Sequence, residues 1–324
     1  MPKQKHNKLY CDQVADENMR LIQKIGKVAD ENIVFQTVAD DFTEQALAKG
    51  VPERQVDFLV CEQMSKLETM SQMAGLTALN NWYWSGRQVY RFDPELAELL
   101  YAQTKDDVDI DSKTLLLLPC PHFYISLEDK IRKGFFVSYI NDNIYFSDYL
   151  SDAKDSYVEA YLFPVPKNET KLTDIIEHLN AEYKRKVTRK QVLEFSKRIS
   201  GYLQFVVYLS AINAEIEPVT KGSIVTRQAG KKPVIRQGRT EISNVGYRLG
   251  NTIRASKTEK ATIKYVGEHS QGSQKSPHIR RSHFHSFWTG SGEDKALIVK
   301  WVNTIFVHGN ENNNDISTVH KVKQ

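Results

Sequence analysis

The fold is decided by residues 134–146, which read Gly134-Phe135-Phe136-Val137-Ser138-Tyr139-Ile140-Asn141-Asp142-Asn143-Ile144-Tyr145-Phe146. Two apolar runs rich in aromatic and β-branched residues flank a short polar segment of turn-forming residues, which predicts a β-hairpin. A further strand is expected over 157–165, and the apolar density of 115–125 is typical of buried strands, with Pro119 and Pro121 at a kink or edge. Because these strands follow one another closely, the pattern favours an antiparallel sheet over βαβ units.

Helical patterns surround this sheet. Residues 8–105 carry apolar residues at spacings of three and four, and Val51-Pro52-Glu53 fits a helix start. The aromatic segment Asn80–Gly86 interrupts this pattern, and we expect it to fill the core, with a peptide-binding ledge as the alternative. Helices are predicted again over 172–186 and 189–214. The second is apolar on nearly every side, so it is expected to pack against the sheet.

The last third of the chain is expected to be less regular. We predict a polar connection over 217–240, a short amphipathic helix over 241–255, and strands over 282–288 and 296–307. Gly246 and Gly250, four residues apart, allow another backbone to approach closely.

The predicted fold class is therefore α+β. Its expected parts are a helical region over 1–110, an antiparallel sheet with two helices over 111–216, a basic C-terminal region over 217–309 and a disordered tail over 310–324.

Composition places the chain among ordinary globular proteins, with 324 residues of which 40% are hydrophobic and 26% charged. No apolar run approaches the roughly 18 residues needed to span a bilayer, and no apolar signal segment follows the basic N-terminus. The three cysteines, Cys11, Cys61 and Cys120, have neither metal-site spacing nor the pattern of a disulfide framework. These features predict a cytoplasmic protein without a membrane partner.

Charge is divided unevenly along the chain. Residues 1–220 hold 26 Lys and Arg against 33 Asp and Glu, a balance of −7. Residues 221–324 hold 18 against 7, a balance of +11. A basic C-terminal third on a mildly acidic body indicates an anionic partner for that third, and a simple solvated basic surface is the alternative.

The densest chemistry lies in residues 277–292, which read Pro277-His278-Ile279-Arg280-Arg281-Ser282-His283-Phe284-His285-Ser286-Phe287-Trp288-Thr289-Gly290-Ser291-Gly292. Histidine changes charge near neutral pH, and arginine is a fixed, forked donor for phosphate or carboxylate. On a strand over 281–288, alternate side chains share a face. Arg281, His283, His285 and Phe287 would then point together.

One interpretation is metal-free cleavage of RNA. One imidazole of His283 and His285 would take the 2′-hydroxyl proton, and the other would protonate the leaving oxygen. Arg281 would stabilise the charge that builds on phosphorus. The turn Gly290-Ser291-Gly292 offers backbone amides to a phosphate. This chemistry requires no cofactor.

Three alternatives stay open. The His-x-His pair could ligate a metal together with His278 or His269, although the neighbouring arginines would repel a cation. The segment could bind phosphate or carboxylate without catalysis, with Phe284, Phe287 and Trp288 as packing partners. The histidines could also be ordinary hydrogen-bonded side chains of a half-buried strand. Elsewhere the sequence has no P-loop, dinucleotide fingerprint, His-Glu-x-x-His or Gly-x-Ser-x-Gly motif.

The same segment resembles the C-terminal signature of the second type V-A anti-CRISPR family. The resemblance extends to Val245-Gly246-Tyr247-Arg248-Leu249-Gly250 and to Val299-Lys300-Trp301 and Ile305-Phe306-Val307, and it is strongest over residues 243–308. The matching positions are His278, Arg280, Arg281, His283, His285, Trp288, Gly290, Gly292 and Trp301. Ser282 and Phe284 depart from it, standing where the family tends to have glycine and tryptophan.

The resemblance implies an inhibitor that lowers production of the type V-A Cas effector nuclease in the bacterial cytoplasm. Its implied partners are the effector's nascent N-terminal peptide and the mRNA or ribosome. Recognition of the peptide during translation would cause loss of the message. In that setting we expect RNA or phosphate to be bound by His278, Arg248, Arg280, Trp288, Gly290 and Gly292. The resemblance is compatible with cleavage of the mRNA by His283, His285 and Arg281. It is equally compatible with cleavage by a host nuclease.

Overall fold

The computed structural model describes most of the chain, with gaps. The described residues are 9–27, 29–64, 67–105, 109–110, 115, 117–127, 133–151, 156–168, 170–182, 186–220, 225–229, 232–236, 240–255, 278–280, 283–290, 295–302 and 305–307. The predicted tail over 310–324 lies outside these residues.

Some helices precede the first strand of the chain, and the others lie between or after strands. They are α1 Tyr10–Glu17, α2 Met19–Ile25, α3 Glu31–Ala48, α4 Glu53–Met64, α5 Leu67–Trp84, α6 Pro94–Ala102, α7 Leu172–Glu182, α8 Arg189–Ser210 and α9 over 247–255. Local chemistry sets several of their starts. Asp30 caps α3 by accepting from the Ile33 amide at 3.0 Å. Thr188 and Gln191 form a capping box at the start of α8.

The strands build one large sheet and four small pairs. They are β1 Gln88–Phe92, β2 Asp109–Ile110, β3 His122–Ser126, β4 Gly134–Ile140, β5 Asn143–Ser151, β6 Ser156–Pro164, β7 Thr170–Lys171, β8 Ile216–Thr220, β9 Val225–Ala229, β10 Lys232–Arg236, β11 Glu241–Val245, β12 His278–Arg280, β13 His283–Thr289, β14 Ala296–Val302 and β15 Ile305–Val307. The small pairs are β2 with β7, β9 with β10, β12 with β15 and β13 with β14.

The large sheet has the strand order β6-β5-β4-β3-β1-β11-β8. The predicted hairpin is confirmed as β4 and β5, and Asn141 and Asp142 adopt the positive φ angles of 48° and 60° that a tight turn of this hand requires. Most neighbours are antiparallel, as the close strand spacing predicts. The exception is β1, which runs parallel to both β3 and β11. Strands from all three predicted regions therefore share this sheet.

Period-two alternation divides the core into two layers, one on each face of the sheet. On β3, Phe123 and Ile125 face one side, whereas Tyr124 faces the other. The first side packs against α8, where the rings of Phe146 and Tyr202 stack at 5.3 Å. The second side packs against the N-terminal helices. This arrangement confirms the α+β class and the predicted packing of α8 on the sheet.

The aromatic segment at the end of α5 contributes to the core, as predicted. Trp82 is fully buried, contacts Phe136 edge-on at 5.3 Å and donates its indole N–H to the Gln88 carbonyl at 2.8 Å. The predicted interruption of the helix here is wrong, because α5 continues to Trp84. The helix ends where Gly86 and Arg87 both take positive φ angles.

Three other sequence predictions are wrong. Residues 88–92 form the buried strand β1, although they fall inside the predicted helical region. Residues 241–245 form β11, so the predicted helix begins only after Gly246. The φ angle of 73° at Gly246 separates the strand from the helix. The strand expected from 115 begins at His122, because Pro119 and Pro121 lack the amide donor that a ladder requires.

The connection expected over 217–240 also contains strands. β8 lies at the edge of the large sheet, and β9 and β10 pair with each other as a separate hairpin. Polar composition concealed β8, because an exposed edge strand does not require the apolar alternation of a buried sheet.

Candidate functional site

Strands β13 and β14 form an antiparallel hairpin that carries the histidines. The register places His283 opposite Val302, Phe284 opposite Trp301, and His285 opposite Lys300. Directly opposed residues share a face of a two-stranded sheet. The hairpin therefore has one face with Phe284 and Trp301 and another with His283, His285 and Lys300.

The first of these faces is anchored in the core. Trp301 is 2% exposed and packs between the rings of Phe284, at 4.7 Å, and Tyr208 of α8, at 5.5 Å. Val299 is fully buried. This packing fixes which way the hairpin faces, because a one-residue slip of β14 would move Trp301 into solvent.

Asn213 holds the outer edge of β14. Its side-chain amide donates to the Trp301 carbonyl at 2.8 Å, and its oxygen accepts from the Trp301 amide at 2.8 Å. The Ile212 amide also donates to the Val299 carbonyl at 2.9 Å. The residues just after α8 thus act as a short strand partner for the hairpin.

We expect Asn213→Ala to loosen this attachment. The change leaves the buried amide and carbonyl of Trp301 without partners, which costs about 1–3 kcal/mol. Hydrogen–deuterium exchange of β14 should become faster while exchange in β4 and β5 stays slow. Asn180→Ala is the matched control, because that amide bonds only the Ile176 carbonyl one turn back. Equal protection of β14 in both variants would contradict this role of Asn213.

The opposite face of the hairpin is open to solvent, and we call His283, His285, Phe287 and Lys300 the open face. His283, His285 and Lys300 are exposed, and Phe287 is half-buried. The rings of His285 and Phe287 lie 5.9 Å apart, tilted by 38°. The two imidazoles thus share one accessible face, as the alternation of the sequence predicts. The structure places them on a surface, so a polymer can reach both side chains.

The remaining predicted residues of this segment are distributed around the hairpin. Trp288 is 52% exposed, but alternation places it on the face opposite to His285 and Phe287. Gly290 begins the turn with a φ of 90°. His278 and Arg280 lie on β12, paired with β15. Arg281 and Gly292 fall outside the described residues, so the predicted grouping of Arg281 with the two histidines stays a prediction.

Arg248 lies at the start of α9, next to Glu215. The carboxylate of Glu215 accepts from the backbone amides of Arg248 at 2.8 Å and of Leu249 at 3.1 Å. Its Oε1 also lies 3.8 Å from Nε of Arg248, whose side chain is 83% exposed. Glu215 therefore occupies the amides that would otherwise receive an anion at this helix start, and only the guanidinium is presented to solvent.

An ion pair between the buried Asp93 and the partly exposed Arg254 fixes the other side of α9. Asp93 is 1% exposed and caps α6 by accepting from the Glu95 amide at 2.9 Å. Arg254 donates to both carboxylate oxygens of Asp93, at 3.1 and 2.9 Å. Gly250 packs directly on this carboxylate. The predicted approach of another backbone at Gly246 and Gly250 is wrong, because the nearest atoms are side-chain atoms, of Leu96 at Gly246 and of Asp93 at Gly250.

The half-buried Cys120 and the buried His122 form a separate group. Burial raises the pKa of the Cys120 thiol to about 11 and lowers the pKa of His122 to about 4. The His122 Nδ1 lies 2.9 Å from the Ser138 hydroxyl. A thiol with a raised pKa and a neutral imidazole are not an activated nucleophile and base at neutral pH. The group is therefore structural.

Two kinds of feature are absent from the described ranges. They contain no cluster of three or more His, Cys, Asp or Glu side chains that could hold a metal ion. None of the helices seen there has the length and apolar character required to cross a bilayer.

Comparison with known proteins identifies the family. Residues 90–309 match the anti-CRISPR type V subtype A2 family. This chain belongs to that family. The match includes the hairpin β13–β14, α9 and the large sheet from β1 onward, and it confirms the resemblance carried by residues 243–308. The type V subtype A2 protein described here is thus an anti-CRISPR protein.

A solved structure that carries the same family name is also similar to this chain. The crystal structure of AcrVA2 superposes with a TM-score of 0.44 at 14% identity, covering 91% of this anti-CRISPR chain and 97% of the other. No curated protein sequence matches this chain.

Several residues around the site were not predicted from the sequence. Lys300 could have been found, because Leu297 to Val302 alternates and so places Lys300 on the face opposite to Trp301. The pair Asp93-Pro94 is likewise a helix-start signal. Asn213 and Glu215 had no local signal, because their partners are distant in sequence.

Proposed function

We propose that this protein lowers the production of a type V-A Cas effector nuclease. In this proposal it binds the effector's nascent N-terminal peptide during translation and causes loss of the mRNA being translated. Membership of residues 90–309 in the anti-CRISPR type V subtype A2 family is the observation that carries the proposal. The basic C-terminal region, with a balance of +11 over 221–324, supports an RNA or ribosomal partner.

The division of charge supports two separate tasks. The acidic body, with a balance of −7 over 1–220, is unsuited to hold a polyanion and is available for a peptide. The basic hairpin presents His283, His285 and Lys300 on an exposed face. In the proposal, peptide recognition and message handling therefore use different parts of the molecule.

Reporter messages test this proposal in cells that express the protein. We expect a reporter that begins with the effector's first codons to fall to a small fraction of its level without the inhibitor. A synonymously recoded reporter, with the same peptide and a different RNA sequence, should be lost equally. A frameshifted reporter, with nearly the same RNA and a different peptide, should persist. Loss of the frameshifted reporter, or persistence of the first, would contradict recognition of the nascent peptide.

A second candidate function is metal-free cleavage of RNA. The observation that favours it is the shared exposed face of His283 and His285, which allows both imidazoles to reach one phosphodiester. Arg281 is the proposed phosphate ligand. Purified protein in EDTA should then cleave RNA, and His283→Ala should remove this activity, whereas His178→Ala, at an exposed histidine of α7, should not. Cleavage that survives His283→Ala would exclude this role of His283.

A further inference from the structure

The described part of the open face of the β13–β14 hairpin carries positive charge and no negative charge. The described strands and their flanking residues, 283–290 and 295–302, contain two lysines, Lys295 and Lys300, and neither Asp nor Glu. Both lysines are exposed. The acidic residues of the hairpin, Glu293 and Asp294, belong to the connection outside the described residues. Lys300 lies on the open face, whereas Lys295 precedes β14, so the described part of this face has one lysine and no carboxylate, which favours phosphate.

The same face also offers rings for stacking. His285 and Phe287 lie two positions apart on β13, with ring centroids at 5.9 Å. His283 continues this row toward the start of the strand. Proteins hold single-stranded nucleic acid by combining backbone cations with aromatic or imidazole rings against which bases stack. Lys300 stands directly across from His285, so one cation and two rings are adjacent.

Part of the hairpin face opposite to the open face is covered by the rest of the protein, so nucleic acid cannot bind there. Phe284 and Trp301 pack there against α8 through Tyr208. Asn213 and Ile212 occupy the outer edge of β14. A ligand that lies along this hairpin must therefore use the open face.

We infer that the open face, formed by His283, His285, Phe287 and Lys300, binds single-stranded RNA. Phe287 and His285 stack on bases, and Lys300 contacts a phosphate. This inference rests on the proposed function, because the bound RNA is then the message to be lost. It goes further by assigning base contacts to Phe287 instead of Trp288 and by requiring no cleavage at this surface.

Fluorescence anisotropy with a short, unstructured, labelled RNA tests the inference on the full-length protein. Phe287→Leu keeps apolar volume and removes the aromatic ring, so affinity should fall by about 5- to 100-fold. Lys300→Ala should reduce the slope of log affinity against log salt by about 0.7, the value for one phosphate contact on a single strand. His178→Ala and Lys190→Ala, at exposed positions on other elements, should change neither quantity.

Several outcomes would overturn the inference. An unchanged salt slope in Lys300→Ala, or unchanged affinity in Phe287→Leu, removes the open face as the binding surface, provided that thermal melts show both variants folded. A larger loss in Trp288→Leu than in Phe287→Leu assigns the RNA to the other face. Tighter binding of duplex DNA than of the single strand identifies a different ligand.

The reporter assay separates this inference from the proposed function. Reporter loss with no RNA binding at the open face refutes the inference and leaves the proposed function standing. RNA binding at the open face with a persistent reporter refutes the proposed function and leaves the surface standing.

Discussion

Replacing Gly250 by alanine will lower the free energy of unfolding by about 3 kcal/mol. A Cβ atom at this position would lie 1.9 Å from Oδ1 and 2.2 Å from Cγ of Asp93. Gly250 lies within α9, where alanine is intrinsically better than glycine by about 1 kcal/mol. Any loss of stability must therefore come from the clash with the carboxylate.

Asp93 cannot move aside cheaply. Its side chain is 1% exposed and is held by the Glu95 amide and by two bonds from Arg254. Displacing it removes the cap of α6 and leaves a buried carboxylate without its cation. The Arg254 side chain is 42% exposed and can return to water, so we place the cost at the lower end of the range for buried pairs.

Urea unfolding of four variants checks this prediction. Gly201→Ala is the matched control, because a Cβ at this glycine of α8 meets nothing closer than 3.6 Å. It should be neutral or slightly stabilising. In an Asp93→Ala background, Gly250→Ala should lower the free energy of unfolding by almost nothing more, because the clashing atoms are gone. If the two changes are simply additive, the proposed contact between Gly250 and Asp93 is wrong.

Acidification will destabilise the protein through His122. This imidazole is 7% exposed, and burial lowers its pKa from the ordinary 6.5 to about 4. Below pH 6.5 the unfolded chain takes up a proton here that the folded chain does not accept. The contribution of His122 to the free energy of unfolding is therefore fully present above pH 6.5. It is lost as the pH falls toward 4, at about 1.4 kcal/mol per pH unit. The total loss is about 3 kcal/mol.

His122→Asn isolates this effect. Asparagine keeps a polar group near the Ser138 hydroxyl and does not titrate in this range. The variant should be less stable at pH 7.5, because the ring leaves a cavity, and its difference from the wild type should shrink toward pH 4. His178→Asn, at an exposed site on α7, should keep the wild-type profile. A constant difference between wild type and His122→Asn across pH 4–7.5 would contradict the buried neutral imidazole.

Local pattern predicted much of the fold. The hairpin β4–β5 followed from two apolar runs around Asn141-Asp142-Asn143, because turn chemistry and side-chain alternation act over only a few residues. The start of α4 and the apolar character of α8 followed in the same way. The strand β1 was missed because its five residues are few and lie between helical segments, although Gly86 and Asp93-Pro94 mark its two ends.

The candidate site was predicted in part. Alternation along β13 correctly placed His283 and His285 on the same face, and the family resemblance was confirmed. Alternation could not show which face of the hairpin is anchored. That choice depends on Trp301 packing against Tyr208 and on the bonds from Asn213, which lies 88 residues away from Trp301.

The amino-acid sequence by itself determined the elements whose stability is local, together with the family and the basic charge of the C-terminal third. Only the tertiary structure decided that β1 lies between β3 and β11 and that Asp93 meets Arg254 across 161 residues. The physical reason is that such contacts depend on the closure of long chain segments around a shared core. No short window of sequence contains both partners.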